Sequence, residues 1–187
     1  RNEAWIVSVS VAGQGAATAA VGGSATINII ANVTEAEITG ESDDTVSAAG
    51  VSVNAADRAS IFTLAGQVGG AGTAAVGAGL AEATIANQTR SRIAGASVTA
   101  TGEVEVSAES ASWIISVGIS GQGAGTAGVG GSSTINTINN KTIAEVVSGG
   151  GATLRAGAVS VIAQDRSDIY TLAGQVSGAG TAAVGGA

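Results

Sequence analysis

Gly70-Ala-Gly-Thr-Ala-Ala-Val-Gly77 returns three more times in this chain, and the spacing of its copies decides the fold. The others are Gly15-Ala-Ala-Thr-Ala-Ala-Val-Gly22, Gly123-Ala-Gly-Thr-Ala-Gly-Val-Gly130 and Gly178-Ala-Gly-Thr-Ala-Ala-Val-Gly185. Their threonines, Thr18, Thr73, Thr126 and Thr181, are 55, 53 and 55 residues apart. A fixed period of this length marks a repeat architecture and overrides any element-by-element reading.

Outward from the motif the match continues without a gap at a separation of 108. Trp5 matches Trp113, Thr26-Ile-Asn28 matches Thr134-Ile-Asn136, and Asp57-Arg58 matches Asp165-Arg166. Thr63-Leu-Ala-Gly-Gln-Val68 matches Thr171-Leu-Ala-Gly-Gln-Val176. About 45 of the 79 comparable positions are identical, so the true period is 108, built from two related halves. The units run over about 1–56, 57–110, 111–164 and 165–187. Neither end departs from the pattern, so residues 1–187 read as one solenoid segment, a slice of a longer array.

Within a unit the local period is two. Val7-Ser-Val-Ser-Val11, Val51-Ser-Val53, Val104-Glu-Val106 and Val159-Ser-Val161 alternate apolar with polar residues, the pattern of a strand with one buried face. The expectation is that these valines point inward. Gly102, Ser148-Gly-Gly-Gly151 and Glu41-Ser-Asp-Asp44 are turn-like. Strand-rich repeats with much glycine and no proline predict an all-β fold, a right-handed parallel β-helix. Two coils of roughly 27 residues per unit are expected, giving a rod of about 35 Å, with three coils of about 18 as the alternative.

The composition narrows the function. With 45% hydrophobic and 11% charged residues, disorder is excluded. A net charge of −7 opposes nucleic-acid binding. No run of about 18 apolar residues is present, so no membrane-spanning helix is expected. Without His or Cys, Ser-His and Cys-His catalysis and ordinary zinc sites are ruled out. No catalytic, metal or cofactor site is expected, and the chain is not read as an enzyme. The acidic Glu41–Asp44 stretch reads as a solvated turn, with a calcium loop as the sharper alternative.

Aligned units generate columns. Gln14, Gln67, Gln122 and Gln175 form one, read as turn side chains pairing with neighbouring backbone. Trp5, Phe62, Trp113 and Tyr170 form another, read as a corner or edge stack, with a sugar-binding platform as the alternative. Glu35 aligns with Arg90, and Glu37 with Arg92 and Glu145; with two coils per unit these would sit about 10 Å apart. Asn32, Asn87 and Asn140 each open an N-x-T triplet. They read as an inward or turn-embedded asparagine ladder, with N-glycosylation at the same residues as the other reading.

The pattern G-V-S-V … T-L-A-G-Q-V-x-G-A-G-T-A-A-V-G … N-x-T-x-A resembles the passenger repeats of Gram-negative filamentous adhesins, the haemagglutinin-like and leukotoxin-like proteins secreted by type V routes. The resemblance implies a right-handed β-helix on the bacterial surface, serving as stalk or adhesive fibre. Its partners would be other segments of the same chain, identical chains in a fibre, or host and surface glycans. Some such adhesins carry sugars at N-x-[ST], which would fit Asn32, Asn87 and Asn140. Trimeric autotransporter heads, with their short A-x-A-x-G repeats, are the runner-up fold. An ice- or surface-binding solenoid, presenting its threonine column, and a polysaccharide-acting β-helix enzyme are the other functional readings.

Overall fold

The computed structural model describes residues 1–187. It contains fourteen strands and no helix: β1 (Asn2–Ala16), β2 (Ala19–Ile30), β3 (Val33–Thr39), β4 (Thr45–Ala48), β5 (Val51–Ala71), β6 (Ala74–Ile85), β7 (Gln88–Ala94), β8 (Ser97–Ala100), β9 (Glu103–Ala124), β10 (Ala127–Ile138), β11 (Lys141–Val147), β12 (Leu154–Arg155), β13 (Ala158–Ala179) and β14 (Ala182–Gly186). They form four parallel sheets in a solenoid-like stack. Sheet A runs β1-β5-β9-β13, sheet B β2-β6-β10-β14, sheet C β3-β7-β11 and sheet D β4-β8-β12.

The pairing register corrects the expected coil size. Asn2 pairs with Asp57, Val51 with Val104, and Val159 with Val104, separations of 55, 53 and 55. Each repeat unit is therefore one circuit of the chain, neither two coils of 27 nor three of 18. The physical reason is that the sides of a circuit are not interchangeable. A 21-residue strand on one side, a path of about 70 Å, returns through three shorter strands on the others. Four coils stacked about 4.8 Å apart stand only about 14 Å tall from first strand to last, not 35 Å. Unit boundaries at 56, 110 and 164 fall inside the long strands; the circuits themselves begin at Asn2, Val51, Glu103 and Ala158.

The interior has two parts. At one end Val53, Val104 and Val106 of sheet A meet Ile93 of sheet C and Val98 of sheet D in an aliphatic core. Towards the other end sheets A and B face each other directly, first through Ile30, Ala59, Ile61, Ile85 and Ile114. Beyond these the interior becomes small and polar. Thr26 and Thr63 share a hydrogen bond of 2.5 Å across it, and Ser116 donates to Asn136 Oδ1 at 2.6 Å.

That polar half overturns part of the expected strand orientation. Val53, Val104 and Val106 are buried as expected, and Val51 packs against the same core. Val159 and Val161 stand in register with Val104 and Val106 but belong to the last coil, which leaves them about half exposed. Val7, Val9 and Val11 instead face outward, 56–67% exposed. Alternation shows that one face is apolar, not that this face is the inner one. Here Ser8 and Ser10 turn inward, in register with Thr63 and Ala65.

Length variation between units is concentrated at one corner, between sheets C and D. It is spanned by residues 40–44 in the first coil, 95–96 in the second and 148–153 in the third. Gly95 makes the shortest version work. Its φ is +77°, and a Cβ there would fall inside the carbonyl oxygen of Gly40 in the coil below. Gly95→Ala is expected to cost about 2–4 kcal/mol from strain and displaced neighbours, read as a lower denaturant midpoint with unchanged slope.

Candidate functional site

The N-x-T asparagines lie at the corner between sheets B and C, where the chain bends in the two residues separating the strands. At this bend the backbone N–H of Asn32 is taken up by Asn87 Oδ1 of the next coil at 2.9 Å, and that of Asn87 by Asn140 Oδ1 at 3.2 Å. The side chain of each coil thus closes the backbone of the coil before it, as buried N–H groups require. Asn87 is 1% exposed, and its Nδ2 donates to Asp57 Oδ2 at 2.5 Å. A glycan on that nitrogen has no room in the folded chain. Asn140 Nδ2 donates to Ser112 Oγ at 2.9 Å.

Asp57 belongs to the same network and was missed as a site residue. Its carboxylate is 1% exposed and also accepts from Asn2 Nδ2 at 2.7 Å and Thr34 Oγ1 at 3.2 Å. Thr34 is the threonine of the first triplet; in the third, Thr142 donates to Asp165 at 3.3 Å. The matching Asp57-Arg58 and Asp165-Arg166 pairs, 108 apart, were the available signal. Buried carboxylates persist where donors converge on them, and this cluster holds the corner.

The glutamines are not in register. Gln14 pairs with Gly69, Gln67 with Ser120, and Gln175 with Ser120, so successive members are offset by two residues. An even offset keeps them all on the inner face, and Gln122 Nε2 donates to Gln67 Oε1. They occupy space opposite Gly22, Gly77, Gly130 and Gly185, where an added Cβ would run into glutamine side chains. The last glycine of the founding motif is therefore the hollow that admits the glutamine. Gln67, Gln122 and Gln175 bond to one another or to serines, not to turn backbone as expected, and the Gln14 Oε1 is buried without a partner.

The aromatics show the same two-residue offset on the outer face. Trp5 and Trp113 both pair with Ser60, whereas Phe62 pairs with Val7 and Ile115. They sit on the open surface of sheet A and not at a corner. Trp5 is 77% exposed and Tyr170 60%. Around them lie Val9, Leu64, Val117 and Leu172 in one in-register row, making a broad apolar face. Monomers rarely expose apolar patches beyond a few hundred Å² without a use for them.

One unit being one coil, the charged column is in register, but it closes ion pairs only on the Glu145 side; Glu35 and Glu37 make none with Arg90 and Arg92. Glu145 lies 3.6 Å from Arg90 and 3.3 Å from Arg92 on the outside of sheet C. Such part-exposed pairs contribute about 0–1 kcal/mol. The Glu41–Asp44 stretch closes on itself, with the Glu41 N–H donating to Asp44 Oδ2 at 2.9 Å. Thr18, Thr73, Thr126 and Thr181 form one exposed file at the corner between sheets A and B, linked by backbone hydrogen bonds of 3.0–3.2 Å. No helix is long and apolar enough to cross a membrane. No family model, curated protein or solved structure matches the chain.

Proposed function

We propose that this chain is a non-catalytic segment of a large bacterial cell-surface protein, a right-handed β-helix that mediates adhesion or builds an extracellular filament. Its repeat is one coil of about 54 residues, paired by sequence into 108. The observation that carries this reading is the broad apolar and aromatic outer face of sheet A, held by coils stacked in register. At about 4.8 Å of height per unit, the architecture is a poor way to gain reach and a good way to gain area. Adhesive display therefore fits better than a spacer stalk. The resemblance to filamentous adhesin repeats supports the same location. The partners that suit the face are other segments of the same chain, identical chains, and surfaces whose glycans stack on Trp5, Trp113 and Tyr170. The threonine file is one residue wide, a line and not the plane that ice binding requires.

The test is binding of the fluorescently labelled chain to host cells, matrix-coated plates and immobilised polysaccharides. Saturable binding that falls at least about tenfold in Trp5→Ala/Trp113→Ala, with an unchanged melting curve, is the expected result. Absence of binding to every one of these surfaces would contradict the reading.

A further inference from the structure

On the outer face of sheet A, three of five neighbouring rows alternate large and small residues from coil to coil, while the two between them, Val7-Phe62-Ile115-Tyr170 and Val9-Leu64-Val117-Leu172, are bulky in every coil. In one row the residues are Val11, Gly66, Ile119 and Gly174; two residues further along the strands they are Gly13, Val68, Gly121 and Val176. The bulky members are 45–74% exposed. A Cβ placed on Gly13 would meet nothing and one on Gly121 or Gly174 would have its nearest neighbour 3.9 Å away, whereas Gly66 is buried and a Cβ there would lie 3.5 Å from both Val11 and Ile119. Nearer the aromatics the alternation repeats as Trp5, Ser60, Trp113 and Asp168.

We propose that this face binds the same face of a second copy of the chain, about a twofold axis parallel to the strands. Such an axis preserves position along a strand and reverses coil order. Coil one then meets coil four of the partner, and coil two meets coil three. Val11 falls on the partner's Gly174, Ile119 on the partner's Gly66, and Val68 on the partner's Gly121. Trp113 falls on the partner's Ser60, and Trp5 on the partner's Asp168 at the rim of the contact. The 108-residue period produces this fit, since it makes alternate coils alike and adjacent coils different. A reversal of four coils always sets an odd coil against an even one. A closed isologous contact of this kind needs self-complementary relief; side chains interdigitate in the three alternating rows, and apolar side chains meet directly in the two rows between them.

The area is sufficient. Five outward positions span about 33 Å along the strands and four coils about 19 Å across them, roughly 640 Å² per copy. The total of about 1,300 Å² lies within the range of specific interfaces. The face contains all four aromatics of the chain, and among the rows described only Asp168 is charged, a composition typical of interface cores.

Sedimentation equilibrium of the chain tests this, with far-UV circular dichroism confirming that each variant keeps its strands. The wild-type chain is expected to be dimeric at about 100 µM, and Ile119→Arg to weaken association at least ~100-fold. Val76→Arg, on the outer face of sheet B, should leave the dimer intact. Gly121→Val separates interlocking from mere stickiness: it adds apolar surface yet fills the hollow, so association should weaken about tenfold. The double variant Val68→Gly/Gly121→Val exchanges bump and hollow and should return association to within about threefold of wild type. A monomeric wild-type chain, tighter association in Gly121→Val, or equal loss in Val76→Arg would overturn the proposal. The inference rests on the same face as the adhesive reading and names a second copy as its occupant: a monomer that still binds surfaces defeats the dimer alone, and a dimer that binds none defeats adhesive display alone.

Discussion

Val104→Asp is expected to prevent folding, whereas Val9→Asp, in an equally valine-rich strand, is expected to be nearly silent. Val104 is fully buried, packed with Val53, Val106, Ile93 and Val98 where three sheets meet. A carboxylate there loses its water and finds no donor among those aliphatic side chains. The penalty of an unpaired buried charge, added to the lost apolar burial, comes to about 4 kcal/mol or more. That is a large part of the 5 kcal/mol or so at the lower end of whole-domain stability. Val53→Asp should behave similarly. Val9 is 59% exposed on the outer face of the first coil, so at dilutions that keep the chain monomeric its substitution should cost under about 1 kcal/mol of folding stability. Far-UV circular dichroism with urea melts checks both.

Asn87→Ala is expected to destabilise the chain by about 3–5 kcal/mol, far more than the same change at Asn32. Truncation at Asn87 removes the donor to Asp57 Oδ2 and the acceptor for the Asn32 N–H. It leaves two buried groups unpaired, each costing about 1–3 kcal/mol. Asn140→Ala should fall between, because it frees the Asn87 N–H and gives up a bond to Ser112. The Asn32 amide nitrogen is buried without a partner, so Asn32→Ala sacrifices little and should cost under about 1 kcal/mol. Urea titrations of the three variants give the order; equal losses would mean that the ladder does not carry the corner.

The strand content and the corners were legible in the sequence, since period-two alternation and recurrent glycines each have a local cause. The asparagines and threonines recur at 55 and 53 residues, the structural register itself, and so aligned correctly. The glutamines and aromatics misled in one particular way. They recur with a two-residue slip that leaves the face unchanged, so a column drawn from similar residue types was not a column of paired residues. Coil size was hidden for a related reason. Local alternation fixes how strands present their faces, but not how many strands complete one circuit. The inward turn of Ser8 and Ser10 could not be read from Val7–Val11 alone, because the residues opposite them, around Thr26, come from another sheet. Asp57 was hidden by its charge, which in isolation reads as solvent-facing.

Spin labels on cysteines placed at Thr18 and Thr181 measure the coil directly, since the chain has no cysteine of its own. Both residues sit in one exposed file and are three coils apart. With one circuit per unit their backbones lie about 14 Å from each other, close enough for strong dipolar broadening. Two circuits per unit would place them about 29 Å apart and three about 43 Å, either of which would contradict the fold described here.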